Sequence, residues 1–304
     1  MLLNVSRTLS INEGQSLRKR LRTTLSNVLS SEDLANVYNS YDIIGSIAII
    51  KQRRASARNA QTIAKTIMSI HKNVKTVTAQ TSPVAGDYRL RNLTHVAGEN
   101  RTTTIHKENG CLFSVDVEKC YFSPRLCNER MRIAKLVKPN ETVVNMFAGV
   151  GCYSIVIAKH APTAKVFSID VNPAAIQFMH ENIRLNRVYT KVAPLLGDSK
   201  TIIERQLQHA ADRVLMPLPE KALEYLPYAV LALKTCGGWI HTYSFEHATK
   251  TENPTEKAKL KAAQKLARLD VDFEFPFSRV VRPIGPNWYQ VVLDMQITRA
   301  PDKF

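Results

Sequence analysis

Three short stretches hold residue types that can do chemistry. The first, "VVNMFAGVGCYS", runs an apolar strand pattern into Ala148-Gly149-Val150-Gly151 and then into a helical pattern. Glycines at such a turn let the backbone approach a ligand at the carboxyl end of a strand, facing a helix N-terminus. Ser154 stands where a dinucleotide fingerprint would have its third glycine, so alone this stretch also fits a plain tight turn. The next strand pattern ends at Asp170, 19 residues after Gly151. A carboxylate there is placed to accept from both hydroxyls of a ribose; its other role would be to cap the helix that opens at Asn172-Pro173. The third strand also ends in an acid, Asp198. Together the loop and the two acids outline an adenosine site, with NAD still open on these residues alone. The second stretch, "SPRLCNERMRIAKLV", reads as a helix with Ser123 as N-cap and Pro124 at the first helical position. It carries Glu129 four residues after Arg125 and next to Arg130. That carboxylate can take a proton from a substrate or complete a helix ion pair. In the third, "DRVLMPLPEKALEYL", a strand from Val214 to Met216 enters Pro217-Leu218-Pro219. Two prolines remove two backbone donors and fix two φ angles, leaving carbonyls beside an apolar wall.

The elements that must position these residues fall into two textures. From about residue 116 strands and helices alternate: "TVVNMF", "KVFSID", "KVAPLLGD", "RVLMPLP" and "GGWIHTYSF" are strands, with helices such as "PAAIQFMHENIRLN" between them. The tail "DFEFPFSRVVRPIGPNWYQVVLDMQI" reads as two strands joined by a Pro/Gly turn. This pattern predicts a doubly wound, mostly parallel sheet whose last strand runs antiparallel. Residues 41–115 read as a small basic α/β unit: a strand "YDIIGSIAII", an amphipathic helix within 51–74, then short strands and turns. Residues 1–40 read as a helical arm, with Leu17, Leu21, Leu25 and Val28 at helical spacing.

Composition narrows the function classes. The 304 residues carry a formal net charge of +16, which points to a polyanionic partner. Residues 1–115 hold 16 Lys/Arg against 7 Asp/Glu, so the charge is densest in the front third, around Arg53, Arg54 and Arg58. No apolar run approaches the ~20 residues that span a bilayer, and no signal peptide is visible, which sets the expectation of a cytoplasmic protein. The five cysteines lack CxxC spacing and the eight histidines are scattered, so neither a disulfide framework nor a metal site is expected.

Several of these stretches, in order, resemble one family. "VVNMFAGVGCYSI", "SIDVNPAAI" and "LLGDS" are similar to the S-adenosylmethionine site of class I (Rossmann-like) methyltransferases. "YFSPRLCNER" and "ENRTTTIHKENGCLFSVD" resemble the archaeal and eukaryotic tRNA (guanine-37-N1)-methyltransferases, from about residue 41 to the C-terminus. The resemblance implies a class I methyltransferase domain over 116–304 behind a tRNA-binding domain over 41–115, with S-adenosyl-L-methionine as cofactor and the tRNA anticodon stem-loop as partner, in a monomer. It implies Glu129 as general base and Arg89, rather than Arg91, as donor to guanine O6. Tyr121 would stack on an extruded base, Arg125 and Pro217 would lie on the substrate side, and Arg130 would contact the cofactor's methionine carboxylate. Phe147, Ala148, Gly149, Gly151, Asp170, Val171, Asp198 and Ser199 would complete the cofactor site. The chain departs from the family's pattern at Asn145, where Asp is usual, at Pro217, where Asn usually stands, and in the further N-terminal domain of some relatives, which is expected to be absent or reduced to the arm of residues 1–40. Pro-Leu-Pro resembles an archaeal branch that also methylates a tricyclic wyosine precursor, at carbon 7 of 4-demethylwyosine. Three other readings compete: transfer of the cofactor's aminocarboxypropyl group, carbon-5 pyrimidine methylation, which needs a cysteine nucleophile, and tRNA binding without catalysis.

Overall fold

The computed structural model describes residues 17–37, 40–51, 59–161 and 163–299. The chain divides into two units, residues 1–83 with 91–101, and residues 84–90 with 102–304.

The smaller unit contains α1 (Leu17–Leu25), α2 (Ser31–Ala35), β1 (Tyr41–Ile44), β2 (Ile47–Lys51), α3 (Ala60–Ile70), β3 (Thr76–Gln80) and β4 (Leu93–Gly98). Its sheet has the order β1-β2-β3-β4, with β2 and β3 parallel and the outer pairs antiparallel. The "YDIIGSIAII" stretch, expected as one strand, is a hairpin, because Gly45 adopts a φ of 56° and turns the chain between two apolar runs. Of the expected leucine stripe, Leu21 and Leu25 are buried in the unit's core with Ala64, Ile67 and Val77. The helix stops at Leu25, so Val28 lies beyond it and is exposed. The described part of the expected arm is thus packed against a core. Arg53, Arg54 and Arg58 lie outside the described residues.

The larger unit opens with a hairpin, β5 (Thr103–Glu108) and β6 (Cys111–Asp116). There follow α4 (Cys127–Leu136), β7 (Thr142–Asn145), α5 (Cys152–His160), β8 (Lys165–Asp170), α6 (Pro173–Asn186), β9 (Val192–Leu196) and α7 (Ser199–Ile202). The chain ends with β10 (Arg213–Met216), α8 (Ala222–Ala232), β11 (Gly238–His247), α9 (Pro254–Leu266), β12 (Asp272–Gly285) and β13 (Trp288–Arg299). The sheet order is β12-β13-β11-β10-β7-β8-β9. Strands β7 to β11 are parallel, and β13 runs antiparallel to β11 and β12. This is the doubly wound, mostly parallel sheet with an antiparallel last strand that the strand series implied, its strand order reversing between β7 and β10. In open sheets of this kind a crevice forms outside the strand ends at that reversal.

Two details differ from the sequence reading. Ser123 makes no side-chain cap; a single 3₁₀ turn, Pro124–Leu126, precedes α4, and Arg130 donates to the Ser123 carbonyl. The texture change near 116 is also not the edge of the larger unit, because β5 and β6 belong to it. Two asparagines on α6 hold the free edge of β6. Asn182 accepts from Ser114 N (2.6 Å) and donates to Ser114 O (3.0 Å); Asn186 accepts from Leu112 N (2.9 Å) and donates to Leu112 O (2.6 Å). The match is geometric: alternate strand residues are about 6.7 Å apart, and helix residues i and i+4 rise about 6 Å.

Candidate active site

A cavity of about 450 Å³ opens at the β7/β10 reversal, within the size range of small-molecule sites. The loop after β7 forms one wall. Gly149 and Gly151 have φ of 56° and 89°, which other residues adopt only with strain. A Cβ on Gly151 would meet the Met179 side chain at 2.8 Å, so that glycine serves packing. A Cβ on Gly149 would meet only Tyr121 O, at 3.9 Å, and Gly149 lines the cavity. Its missing side chain therefore leaves room for a ligand.

Asp170, at the end of β8, ties the loop down. It accepts from Gly149 N (2.6 Å) through Oδ2 and from Asn172 N (2.9 Å) through Oδ1. Burial pushes its carboxyl above the usual aspartate range, and the two backbone donors oppose that. The cap of α6 is made by Asn172, which accepts from Ala174 N. Asp198 caps α7 by accepting from Lys200 N (2.8 Å), and its second oxygen accepts from Tyr225 OH (2.9 Å). Tyr225 packs edge-on against Phe147, with centroids 5.3 Å apart. Phe147, Val171, Asp198, Ser199 and Tyr225 all line the cavity, and Ser199 Oγ is buried without a hydrogen-bond partner. Two acids, an unspent hydroxyl and a glycine wall are a donor and acceptor set that suits an adenosine-containing ligand. Ala148 and Gly151 belong to the loop without facing the cavity.

The cavity is also lined by the turn 84–89 and by Tyr121, Pro217 and Leu218. Ala85 and Leu90 exchange backbone hydrogen bonds across this turn. Arg89 sits at its end with a φ of 54°, its guanidinium carbon 4.3 Å from the Tyr121 ring centroid. Arg89 and Tyr121 are thus brought together beside Pro217, while Arg91 does not line the cavity.

Glu129, Arg125 and Arg130 do not line it either. Arg125 is exposed. Arg130 is buried and forms a two-point ion pair with Glu108, at 2.5 and 2.6 Å. Burial raises the Glu108 pKa, yet His106 and Arg130 bring it net below the ordinary value. The expected contact from Arg130 to a cofactor carboxylate is therefore not formed by a free guanidinium; that group ties α4 to β5. Glu129 is 2% exposed and accepts from Arg132 Nε (2.6 Å), Tyr243 OH (3.0 Å) and Arg279. Behind it runs a chain of charges. Arg132 grips Asp294 with two nitrogens (2.6 and 3.1 Å), Asp294 accepts from His241 Nδ1 (2.6 Å), and Arg213 donates to His241 Nε2 (2.6 Å) and to Glu141. No spacing rule links Glu129 to Arg279 or Arg132 to Asp294, since these contacts form only when α4 packs on the sheet. Tyr225 and Glu220 were also missed, although both lie just past the noticed Pro-Leu-Pro. Asn145 is fully buried, donates to Ser154 Oγ (3.1 Å) and leaves Oδ1 without a partner. An aspartate there would bury a charge. Among the described residues no cysteine lines the cavity, where carbon-5 chemistry would need its nucleophile, and burial pushes the Cys120 and Cys152 thiols up to about 12.

A family model described as the TRM5/TYW2 methyltransferase domain matches residues 104–271, and one described as the TYW2 N-terminal domain matches 21–102. The chain is 43% identical over 260 residues to the tRNA (guanine(37)-N(1))-methyltransferase Trm5b of Pyrococcus abyssi, covering 85% of this chain and 75% of the relative. It is 35% identical to the tRNA 4-demethylwyosine(37)-methyltransferase Taw21 of Saccharolobus solfataricus, covering 87% and 96%. It is 31% identical to a tRNA(Phe) (4-demethylwyosine(37)-C(7)) aminocarboxypropyltransferase of Methanocaldococcus jannaschii, covering 85% and 98%. Among solved structures, Trm5b from Pyrococcus abyssi matches with a TM-score of 0.79 at 40% identity, over 89% of this chain and 79% of that one. A complex of aTrm5 and tRNALeu matches at 0.77 and 36%, over 91% and 78%. Pyrococcus horikoshii TYW2 in complex with MeSAdo matches at 0.74 and 28%, over 93% and 99%.

Proposed function

The chain belongs to the TRM5/TYW2 methyltransferase family, and from that premise we propose that it methylates N1 of guanosine 37 in tRNA, with S-adenosyl-L-methionine as donor. The observation that carries the reading is one cavity at the sheet reversal that is lined both by the adenosine-type set Gly149, Asp170 and Asp198 and by Arg89 and Tyr121.

S-adenosyl-L-methionine, when bound, supplies an activated methyl group. Gly149, Asp170, Val171, Asp198 and Ser199 are the residues that would hold it. On the other side, Tyr121 offers a ring face to an extruded base. Arg89 donates to guanine O6, where negative charge gathers as N1 loses its proton. We assign the proton to Glu129, on the strength of its place in "FSPRLCNER". Its carboxylate lies under the Arg279 side chain, which is 42% exposed, so Arg279 must swing aside to free an oxygen. The partner is the anticodon stem-loop of tRNA, bound by a monomer in the cytoplasm. No described helix is long and apolar enough to cross a membrane.

A second substrate is favoured by Pro217 and Leu218, which line the cavity as an apolar wall without a side-chain amide. A wall with no buried amide to leave unpaired discriminates weakly between ring systems, and we extend the activity to carbon 7 of 4-demethylwyosine.

The test is incubation with labelled S-adenosylmethionine and unmodified tRNA, then nucleoside mass spectrometry. 1-Methylguanosine at position 37 is expected, and an aminocarboxypropyl mass or an unlabelled tRNA would overturn the reading. Glu129→Gln should lower kcat about 10²-fold or more, the scale of general-base loss, while calorimetry shows unchanged cofactor affinity.

A further inference from the structure

Glu220 follows directly on Pro217-Leu218-Pro219 and lines the cavity. Its Oε1 lies 3.2 Å from Arg89 Nη2; the Arg89 side chain is 16% exposed and that of Glu220 48%. Arg89 Nε is buried and has no hydrogen-bond partner. The guanidinium, above the Tyr121 ring, thus has Nη2 paired with a carboxylate while its Nε–H is unspent. The backbone of Arg89, with its φ of 54°, is held in a conformation costly for a non-glycine residue. Such strain persists where the surroundings fix a side chain for use.

A donor beside an acceptor, over an aromatic face, has a definite complement. The Watson–Crick edge of guanine offers an acceptor at O6, then donors at N1 and at the exocyclic 2-amine; adenine offers a donor, then an acceptor. The wall leading to Glu220 agrees with guanine, because Pro217 and Pro219 have no N–H to give. Asp170 and Asp198 are the acids assigned above to the methyl donor. Asp87 also lines the cavity, but Glu220 is the acid paired with Arg89.

Resting on the function proposed above, we propose that Glu220 is a specificity-determining residue that accepts from the 2-amine of the target guanine while Arg89 donates to O6. Before the base arrives, Glu220 holds Arg89 in place; when the base enters, the pair opens around its edge.

The experiment compares single-turnover kcat/KM on tRNA transcripts carrying guanosine or inosine at position 37. Inosine keeps O6 and N1–H and lacks only the 2-amine. The wild type should favour guanosine by about 10- to 100-fold, the scale of one hydrogen bond to a charged group. Glu220→Ala should bring the two rates together, and Glu220→Gln, which keeps a carbonyl acceptor, should fall between. Because Glu220 is half exposed on a loop, the variants are expected to fold, which unchanged S-adenosylmethionine affinity by calorimetry verifies. A wild-type ratio near one, a ratio that survives in Glu220→Ala, or an equal loss on both tRNAs would overturn the inference. If the wild type methylates neither tRNA, the proposed function itself fails, whereas a working guanosine enzyme with an unaltered ratio sinks only Glu220's role.

Discussion

His241 is enclosed on both ring nitrogens. Arg213 can only donate, so Nε2 accepts, and Nδ1 must carry the proton given to Asp294. Burial drives the His241 pKa below its ordinary value, with the neighbouring cations adding to that and Asp294 opposing. The folded protein therefore holds a neutral imidazole, while the unfolded chain takes up a proton below about pH 6.5. Stability that His241 contributes is present above that pH and is lost as pH falls through the folded value. Melting temperatures at pH 7.5 and 5.5 should show a steeper loss for wild type than for His241→Gln, and parallel curves would refute this. The Glu129 and Arg130 pair shows how far residues were legible. Both were noticed from one motif, as neighbours in sequence. On a helix, neighbours point about 100° apart, so Glu129 turns to Arg132, Arg279 and Tyr243 while Arg130 turns to Glu108. A motif identifies the helix; only the packing decides what each side chain meets.

The asparagine pair of α6 does the work of a neighbouring strand. It satisfies the outward backbone groups of Leu112 and Ser114, which would otherwise be an open edge. Asn182 is fully buried and also donates to Val150 O (3.0 Å), linking the hairpin to the glycine loop. Asn182→Ala would strand Ser114 N and O, and at roughly 1–3 kcal/mol for each unmade hydrogen bond the loss should be about 2–6 kcal/mol in chemical unfolding; a change under 1 kcal/mol would mean that water replaces the amide. Nothing in "PAAIQFMHENIRLN" announces this, because asparagines on a helix read as ordinary polar positions. The alternation of parallel strands and helices was readable, since most of these strands are short apolar runs followed by a helical pattern. The hairpin of β1 and β2 was not, because both of its strands are apolar and only Gly45 and Ser46 part them.

Charge belongs to the molecule as a whole. With a net +16, and 16 of its 42 lysines and arginines in the first 115 residues, the protein should bind tRNA through counterion release. Affinity is expected to fall at least about 10²-fold between 50 and 200 mM salt, measured by filter binding, and a flat response would contradict that source of affinity. The course of the chain between the two units has a practical outcome. It leaves the smaller unit after Pro83, supplies residues 84–90 to the larger one, returns for 91–101, and departs again at Thr102. A protein shortened to start at Thr102 would keep all seven strands of the large sheet and both acids of the adenosine wall. It would nevertheless lose Arg89 and the whole turn 84–89 that lines the same cavity. On the function proposed above, such a protein would keep the residues assigned to the methyl donor, and Tyr121, Pro217 and Glu220 on the side of the base, while losing the arginine assigned to guanine O6.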